Sequence, residues 1–589
     1  MRLLHSRIYL FALLLLIATA CNTDPQEDNA TVTTECPEVV TRVLTDADVL
    51  NPLLLTVQTA QTGTEMMFQS LLSQNPFNFE LEPLLVKSRA QSEEVTEGEH
   101  EGGVKYTFEF RKDAIWDDDS PITAEDYLFT LKAVFVPQLP NAHIKAILDP
   151  IADVITYSDN PKKISIITSS KLFSGEQVIS NTVPVLPKYV YDPNGLLDDI
   201  PFASFRGADS ETKMQDFDAQ LQEFAAFFQS DEVNRVPGIS GGSGPYELEE
   251  WIPGQSISFK RKDNWWCDRL SEKNISQEAY PCSITMKPIP DDATIMSAIK
   301  GGEVSIASGL APKAFNEAKE DELITNQYEM HAPEVLAYYV IYVNSRKPML
   351  ADKKVRQALS HALNMDELIQ KGYGGYGTRI GSPFHPSFTF YKKDLEPIPY
   401  NIEKAKQLLA EAGWEDTNNN GIVDKVIDGQ RKELSLNYTF TAGRERSRNI
   451  ALLLQNTAQQ AGIEINLDPQ EAVAAITRGK NAQYDLYGGG RALNPYGTPK
   501  QNWHTEGDNR TGFGNAETDQ LIEQIEVTLD DKKRTELYHK LQDIIYDERV
   551  ELLIMAPQER IVISNDMEIA LTALYPGYVL PLTKMKEKN

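Results

Sequence analysis

The hydrophobic pattern between residues 106 and 134 changes from the period of a strand to that of a helix. Three aromatic residues alternate with polar ones at its start: Tyr106, Phe108 and Phe110. This alternation predicts a strand with one apolar face. An acidic run at 117–119 and Pro121 supply turn chemistry, and Thr123 is placed to cap a helix whose apolar positions continue to Phe135. The segment therefore predicts a strand, a tight turn and a capped helix.

Two further helices are predicted in the second half of the chain. Asp352 precedes apolar residues at helical spacing, namely Val355, Ala358, Leu359, Ala362 and Leu363. Asn401 precedes a second series of this kind, and Gly413 supplies its stop. Strand-like alternation and amphipathic helices intermingle along the whole chain, which predicts mixed α/β lobes rather than a helical bundle or a β-sandwich.

The length of the chain also bears on its organisation. Its 589 residues exceed what one hydrophobic core usually holds, so two or three domains are expected. No long Pro-rich or Ser-rich linker interrupts the interior of the sequence. If there are two lobes, ordered crossings rather than a flexible linker join them.

The N-terminus has the pattern of an export signal. An apolar run at 8–17 is too short for a membrane span, which takes about 20 residues, so we interpret residues 1–20 as a cleaved signal peptide. Small residues directly before Cys21 resemble a bacterial lipoprotein box, although Ala18 occupies the place usually held by leucine. A lipidated Cys21 would hold the protein at a membrane surface through residues 21–36, a flexible tether. Ordinary signal cleavage is the alternative.

The charge of the chain excludes one class of partner. Without residues 1–20 the chain has 55 basic and 86 acidic residues, a formal charge of −31. Binding of DNA or RNA depends on clustered Lys and Arg side chains, and no basic tract offers them. Nucleic acid is therefore not an expected partner. The acidity either attracts cationic solutes or keeps an envelope protein soluble.

Cysteine and histidine usage gives little support for a metal or redox centre. Besides Cys21, the chain contains Cys36, Cys267 and Cys282. In an oxidising compartment, Cys267 and Cys282 either close a short loop as a disulfide or stay unpaired. There is no CxxC pair and there are only eight histidines, so neither a zinc ribbon nor a redox dithiol is predicted.

One acidic segment has the spacing of a calcium loop. Oxygen-bearing residues alternate around a glycine that suits a sharp turn: Asp416, Asn418, Asn420, Gly421 and Asp424. Ile427 stands where such a loop needs its bidentate acid, so any calcium site here would be weak. The alternative is an Asn-Gly turn between a helix and a strand.

Motifs for catalysis are not supported. The glycine pattern at 372–377 matches a dinucleotide motif, but it ends a predicted helix instead of following a strand, so its amides cannot point at a pyrophosphate. The sequence has no HExxH or P-loop motif. We therefore expect no catalytic residues and no enzyme activity.

Several segments, in order along the chain, resemble the family 5 extracellular solute-binding proteins, the peptide and nickel receptors of ABC importers. They are residues 106–134, 242–266, 298–307, 338–375 and 513–558. Residues 242–266 resemble the family's glycine-proline-tyrosine hairpin. Asp119 stands where the first segment usually has a turn glycine. The common order of these matches carries more weight than any one of them.

This resemblance implies an α/β fold: a two-lobed periplasmic-binding-protein type II clamp with mixed sheets and an extra inserted subdomain. Lobe one would comprise residues 37–335, with the inserted subdomain at 69–185, and a return segment at 551–589. Lobe two would comprise residues 336–550. A clamp of this kind buries its ligand on closure, so only a molecule that contacts both lobes stabilises the closed state.

The resemblance also implies ligand contacts in lobe two. Peptide-binding members of the family place a carboxylate there for the ligand's α-amino group, and Asn494 occupies that position. We expect the neutral amide to weaken binding of a free N-terminus about ten- to a hundredfold. Arg491 stands where the family has a tryptophan, and it would favour an anionic or carbonyl-rich ligand. Alternatively, Asn494 and Arg491 line a solvated loop.

Six further wall residues follow from the same resemblance: Tyr338, Tyr339, Thr62, Thr64, His143 and Trp503. Aromatic rings contact a ligand at little cost in entropy, and threonines in a polar turn suit hydrogen bonds to a bound chain. Each has a plainer alternative. The tyrosines are then core residues of a strand, the threonines cap a helix, His143 lies in a surface loop, and Trp503 packs against its neighbours.

The predicted function is that of a binding lipoprotein facing the periplasm in the cell envelope. It would capture a peptide or peptide-like solute as a monomer and deliver it to the permease of an ABC transporter. Its contact with the membrane would be the lipid alone, and it would need no cofactor apart from a weak calcium ion. The alternative is a receptor of the same fold for a metal chelate or haem, or a ligand-sensing protein.

Overall fold

The computed structural model describes residues 36–238, 241–443 and 445–587. The predicted signal peptide, Cys21 and nearly all of the predicted tether lie outside these ranges. None of the helices within the ranges has both the length and the apolar character needed to cross a membrane.

The strands, in chain order, are β1 (Glu38–Val43), β2 (Leu72–Gln74), β3 (Leu81–Pro83), β4 (Gln91–Glu94), β5 (Val104–Glu109), β6 (Ile151–Thr156), β7 (Lys163–Thr168), β8 (Tyr246–Ile252), β9 (Ser256–Arg261), β10 (Ser283–Pro288), β11 (Ile306–Ala307), β12 (Tyr328–His331), β13 (Ala337–Val343), β14 (Gly377–Thr378), β15 (Asp424–Ile427), β16 (Gln430–Glu433), β17 (Ser435–Thr441), β18 (Glu464–Gln470), β19 (Leu486–Ala492), β20 (Glu551–Pro557), β21 (Ile561–Ser564), β22 (Met567–Leu571) and β23 (Tyr578–Met585).

The α-helices are α1 (Gln58–Met67), α2 (Ala124–Phe135), α3 (Ala142–Leu148), α4 (Gly175–Asn181), α5 (Lys188–Tyr191), α6 (Ser210–Gln215), α7 (Asp218–Phe228), α8 (Asp231–Asn234), α9 (Asp292–Lys300), α10 (Pro312–Glu320), α11 (Glu322–Thr325), α12 (Lys353–Ala362), α13 (Met365–Tyr373), α14 (Ile402–Glu411), α15 (Glu445–Gln459), α16 (Ala472–Lys480), α17 (Lys500–Trp503), α18 (Ala516–Val527) and α19 (Asp531–Glu548). Short 3-10 helices lie at Phe202–Phe205, Trp266–Arg269 and Ile275–Gln277.

Two large mixed sheets organise the chain. The first sheet has the strand order β12-β21-β11-β1-β10-β9-β8, and the second sheet has the order β14-β20-β13-β19-β17-β18. The first core cluster draws on residues before 310 and after 560, whereas the second draws on residues 341–555. Each large sheet therefore has a core of its own, which is the arrangement expected of two lobes.

The chain passes between these two sheets twice. The first passage, at 332–336, joins β12 to β13. The second passage, at 558–560, joins β20 to β21 and comes later than the return predicted at 551. The difference arises because residues 551–557 form an interior strand of the second sheet. The remaining lobe boundaries stay a prediction.

A third sheet, β4-β5-β7-β6, lies within the range predicted for the inserted subdomain. Its strand β5 and helix α2 correspond to the predicted strand-turn-helix segment. Thr123 and Asp126 form a capping box, with the Thr123 amide donating to Asp126 Oδ2 at 2.8 Å. Asp119 has a φ of 65° and so occupies the left-handed conformation that a turn glycine usually adopts. The local prediction for this segment is confirmed.

The caps of the other predicted helices are confirmed as well. Asp352 accepts a hydrogen bond from the Lys354 amide at the start of α12, and Asn401 accepts one from the Lys404 amide at the start of α14. Gly374, in the glycine-rich stretch, has a φ of 65° and ends α13. The stretch therefore terminates a helix, as expected, and does not follow a strand.

The disulfide differs from the pairing considered from the sequence. Cys282 is bonded to Cys36, with their Cα atoms 5.5 Å apart, and Cys267 is a buried free thiol. The reason is the parallel pairing of β1 with β10, which sets Glu38 opposite Ser283 and brings the two preceding cysteines together. A bond between Cys267 and Cys282 is therefore excluded.

Candidate ligand-binding site

The structure contains a cavity of about 720 Å³ beside the first sheet. Its walls come from the end of β1, from α1 and the segment that follows it to Pro76, and from the C-terminal segment at 572–582. A volume of this size is typical of sites for small ligands, which occupy about 300–1,000 Å³. Every residue that lines it falls within 37–335 or 551–589, so the cavity belongs to the first of the two predicted lobes.

Helix α1 supplies the face of the cavity that carries chemistry. Its inner side is pressed closely onto the first sheet at Gly63, where a Cβ atom would come within 2.9 Å of Leu50 Cδ2 and Phe259 Cζ. The helical period then turns Thr62 and Glu65 towards the cavity, and both line it. A small residue at position 63 thus sets how deep α1 lies and where its polar side chains point.

Glu65 is the one charged residue of α1. Its carboxylate Oε1 accepts a hydrogen bond from Gln61 Nε2 at 2.8 Å, one helical turn earlier. Although the side chain is accessible to solvent, burial raises its pKa, and the bond from Gln61 only partly opposes that rise. Accessibility combined with desolvation fits a carboxylate that faces a cavity rather than open water.

Among the described residues that line the cavity, Arg42 is the one cationic side chain, and its charge is already satisfied. Its guanidinium donates to the carbonyl oxygens of Ile289, Ser308 and Pro290 at 2.8–3.2 Å. It also lies 3.5 Å from Asp292. Because Arg42 is committed to these partners, it does not neutralise Glu65, and the cavity keeps a net negative character.

The rest of the lining is mixed. Phe68, Tyr575, Tyr578 and Leu580 contribute apolar surface, and Tyr575 is half exposed. Glu278 also lines the cavity, but its Oε2 accepts a hydrogen bond from the Tyr280 hydroxyl. The site therefore suits a ligand with apolar parts and a positively charged group.

Four residues of the second sheet form a separate, largely buried cluster, and two of them are predicted site residues. The strand registers pair Tyr338 with Arg491 and Tyr342 with Glu551, so that all four share one face of the sheet. The Tyr338 hydroxyl donates to Glu551 Oε2 at 3.0 Å. The Arg491 guanidinium lies 5.8 Å from the centre of the Tyr342 ring and 6.0 Å from that of Trp503.

The ionisable residues of this cluster mainly affect one another's pKa values. Burial raises the pKa of Glu551, and Arg491 opposes the rise. Burial lowers the pKa of Arg491, but Tyr338 and Glu551 outweigh it and the net pKa is raised. Arg491 thus affects the pKa of Glu551 without an ion pair or hydrogen bond to it among the described residues. It does not line the cavity, so the expected preference for an anionic ligand has no support from this geometry.

The other predicted wall residues are dispersed. Thr62 is the one that lines the cavity, whereas Thr64 is buried and its hydroxyl donates to the Gln61 carbonyl. Tyr339 packs against the Tyr373 ring at 5.2 Å, on the side of β13 away from Tyr338. Their contact with a ligand stays a prediction.

Three more predicted residues also lie away from the cavity. Asn494 is exposed, and its Oδ1 accepts a hydrogen bond from the Tyr496 amide within a turn. His143 is exposed on α3. Trp503 is 1% exposed and packs on Phe384, as in the plainer alternative.

The calcium-like segment connects α14 to β15, and calcium binding by it stays a prediction. Asp424 is 3% exposed, and its carboxylate accepts hydrogen bonds from Arg431 and Thr417. Asp416, Asn418 and Asn420 accept hydrogen bonds from backbone amides of the loop itself. Within the described ranges, no group of three or more His, Cys, Asp or Glu side chains is placed to hold a metal. The predicted calcium ligands are therefore engaged with the protein.

Sequence reasoning missed Glu65 and the C-terminal wall at Tyr575 and Tyr578. A signal for Glu65 exists in the sequence, because it is the single charge of this helix and two apolar residues, Met66 and Met67, follow it. The C-terminal segment gave no local signal. It reaches the cavity only through contacts distant in the sequence, such as the hydrogen bond between Thr41 and Tyr578 at 3.0 Å.

The sequence profile of the bacterial extracellular solute-binding proteins, family 5 (Middle), matches residues 80–512, and the chain belongs to this family. The oligopeptide-binding protein AppA of Bacillus subtilis (strain 168) is 24% identical to it over 529 residues, which cover 86% of this chain and 87% of AppA.

Solved structures show the same fold. The structure of AppA from Bacillus subtilis in complex with a nonapeptide matches with a TM-score of 0.65 and 21% identity, covering 94% of this chain and 99% of that chain. NikA from Brucella suis in complex with Fe(III)-EDTA matches with a TM-score of 0.72 and 20% identity, covering 93% and 100%. The predicted two-lobed type II periplasmic-binding-protein fold is confirmed.

Proposed function

We propose that this protein is the receptor of an ABC importer, which captures a peptide or peptide-like solute and delivers it to a permease. The observation that carries the proposal is the cavity of about 720 Å³ beside the first sheet, in a chain that belongs to a solute-binding family. Its lining combines aromatic and aliphatic surface with carboxylate, amide and hydroxyl groups. A peptide offers complementary apolar side chains, amides and an ammonium group.

We place the hinge of the clamp at the two passages, residues 332–336 and 558–560. A short antiparallel bridge between Glu334 and Gln558 links these passages. Closure would bring lobe two over the cavity, and the contacts predicted for Asn494 and Arg491 belong to that closed state. Because a ligand shifts this equilibrium only through contacts that differ between the two states, closure requires a solute that touches both lobes.

The location proposed from the sequence also stands as part of this function. Lipid attached to Cys21 would hold a monomeric receptor at the membrane of the cell envelope, with the clamp facing the periplasm. A lipid anchor of several acyl chains binds a membrane stably without a spanning helix. Labelling the exported protein with a radioactive fatty acid, with Cys21→Ser as control, tests this part. An exported, unaltered protein that carries no label and does not associate with the membrane would contradict it.

A metal chelate or haem is the competing cargo, and the similarity to NikA makes it worth testing. The lining of the cavity speaks against it. Two carboxylates, those of Glu65 and Glu278, face the space, and they disfavour an anionic chelate or the propionates of haem. The described lining residues also include no His or Cys side chain to ligate a metal.

A thermal-shift panel of oligopeptides, acylated peptides and metal complexes separates these functions. A ligand present at a hundred times its dissociation constant adds about 2.7 kcal/mol to the free energy of unfolding. Thr62→Trp obstructs part of the cavity and should reduce that gain, whereas Thr96→Trp, at an exposed site away from it, leaves the gain unchanged. Stabilisation by metal complexes alone, or by nothing in the panel, would contradict peptide capture.

Two further measurements complete the test. Small-angle scattering should show a smaller radius of gyration when the stabilising ligand is added. Mass spectrometry of the recovered ligand should show it unchanged, since the proposed receptor performs no chemistry. A ligand returned as fragments would instead identify an enzyme.

A further inference from the structure

We propose that Glu65 is the anchor for a primary ammonium group of the ligand, held inside the cavity of lobe one. This inference rests on the proposed function and adds to it the chemistry of one subsite. The ammonium group belongs either to the N-terminus of a peptide or to a lysine side chain, and the experiment below separates these two sources.

The first support is the position of the carboxylate. Glu65 lines the cavity from α1, a helix fixed against the first sheet at Gly63. Among the described residues, Oε1 accepts a hydrogen bond from Gln61 and no hydrogen bond to Oε2 is found. One oxygen is therefore oriented by the protein while the other remains available. A carboxylate fixed in this way loses little side-chain entropy when it binds a cation.

The second support is the charge balance of the cavity. The Arg42 side chain is 1% exposed. Its guanidinium donates hydrogen bonds to three carbonyl oxygens and forms an ion pair with Asp292. The carboxylate of Glu278 accepts a hydrogen bond from the Tyr280 hydroxyl. Glu65 is thus the one carboxylate of the described lining that has neither a cationic partner nor a hydroxyl donor. A cationic group of the ligand is what this site needs for its charge to be compensated.

The third support is the environment of the carboxylate. Burial raises the pKa of Glu65, so the ionised form is held at a cost in the ligand-free protein. An ammonium group beside it would remove that cost, and attraction between the two charges is stronger here than in open water. Asn494, the residue that the family resemblance places at the amino group, is neutral and engaged in its own turn. It therefore offers no competing charge.

The test is calorimetric titration of the purified protein with three versions of one peptide that the thermal-shift panel has shown to bind. The first has a free N-terminus and no lysine, the second is N-acetylated without lysine, and the third is N-acetylated with one lysine. If Glu65 binds the α-amino group, the first binds about ten- to a hundredfold more tightly than the second. If it binds a side-chain ammonium, the third shows that advantage.

Two variants connect the effect to the residue. Glu65→Gln keeps the size of the side chain and should reduce the advantage of the ammonium-bearing peptide to less than about threefold. Glu250→Gln removes one carboxylate from an exposed position on β8 that does not line the cavity, so it should preserve the advantage. Glu65→Asp keeps the charge on a side chain that is shorter by one methylene. It should give an affinity advantage between those of the unaltered protein and Glu65→Gln. Unfolding curves of all variants verify that each is folded.

A proton count gives an independent readout. In mildly acidic solution, binding of the ammonium-bearing peptide should release protons from Glu65, because the ligand lowers a raised pKa. Titrations in two buffers of different ionisation enthalpy measure this release, and Glu65→Gln should abolish it.

The failures are distinguishable. An unchanged advantage in Glu65→Gln overturns the anchor but leaves peptide capture intact, as does equal binding of all three peptides to the unaltered protein. Absence of binding by every peptide in the panel overturns the proposed function and, with it, this inference.

Discussion

Tyr338 donates its phenolic hydrogen to a carboxylate oxygen of Glu551 at 3.0 Å inside the second sheet. Both side chains are buried, and Arg491 supplies the nearby positive charge. This arrangement keeps an ionisable group within a sheet that is otherwise held by apolar contacts. The stability of the second sheet therefore depends on the charges of Glu551 and Arg491 and on the hydrogen bond from Tyr338.

We predict that Arg491→Met destabilises the protein by about 3 kcal/mol at neutral pH, since it leaves the buried Glu551 charge without compensation. The pKa of Glu551 is already raised, and without Arg491 it rises further. Protonation then relieves the cost, so the loss should shrink as the pH falls. Urea unfolding at neutral and acidic pH measures the difference.

The matched control is the double variant Arg491→Met with Glu551→Gln. It removes both charges and retains an acceptor for Tyr338, so it should be less destabilised than Arg491→Met alone. Equal losses in the two variants, or a loss that does not depend on pH, would show that Arg491 does not compensate Glu551.

The second prediction concerns the cysteines. Replacing both Cys36 and Cys282 by serine should lower the free energy of unfolding by about 2–4 kcal/mol, because the disulfide closes a loop of 246 residues and restricts the unfolded chain. Cys267 should react with a thiol reagent only after unfolding, since burial raises the pKa of its thiol to about 12. Urea unfolding measures the first effect, and peptide mapping of the labelled protein measures the second. A Cys267 that reacts in the native protein would contradict the buried position.

The third prediction concerns the depth of α1. Gly63→Ala places a methyl group 2.9 Å from Leu50 and Phe259, so the helix or these side chains must move, at a cost of about 1–3 kcal/mol. Ligand binding should weaken as well, because the same shift displaces Thr62 and Glu65. Gly301→Ala is the control. It lies at the end of α9 with a φ of −80°, and its new Cβ would come no closer than 3.4 Å to another atom, so stability should change little.

The fourth prediction uses the sign of the pKa shift at Glu65. A carboxyl group whose pKa is raised in the folded protein favours folding at low pH, and this contribution is lost as the pH rises through the folded pKa. Without ligand, Glu65→Gln should therefore unfold at a higher temperature than the unaltered protein at neutral pH. The difference should vanish in acid.

Glu250→Gln, on β8 and outside the cavity lining, should show no comparable gain. A binding residue that costs stability in the ligand-free state is a common form of the trade between stability and function. A lower unfolding temperature for Glu65→Gln at neutral pH would mean that the carboxylate has a stabilising partner.

Local features of this fold were predictable because they depend on neighbours in sequence. The capping box of Thr123 and Asp126 and the caps at Asp352 and Asn401 are each set within three residues. The two-lobed architecture was predictable as well, but from the family resemblance and not from local patterns. The return between the sheets was placed too early because a strand such as β20 gives no sign of which sheet it joins.

The site was less predictable because it depends on register and packing. Pairing of β19 with β13 sets Arg491 on the face shared with Tyr338, a relation that the sequence near either residue does not reveal. The bond between Cys36 and Cys282 follows from the parallel pairing of β1 and β10, which no local pattern announces. Glu65 was visible as the single charge of α1, yet its direction is fixed only by the contact of Gly63 with the sheet.

The covalent link between Cys36 and Cys282 has a mechanical consequence. Tension applied to the chain ahead of residue 36 reaches two neighbouring strands, β1 and β10, at once, so β1 cannot be peeled away alone. The two strands would have to move together past their other neighbours, β11 and β9, which requires several hydrogen bonds to break at once. A receptor tethered by its N-terminus would thus resist drag and crowding at the point where the load enters.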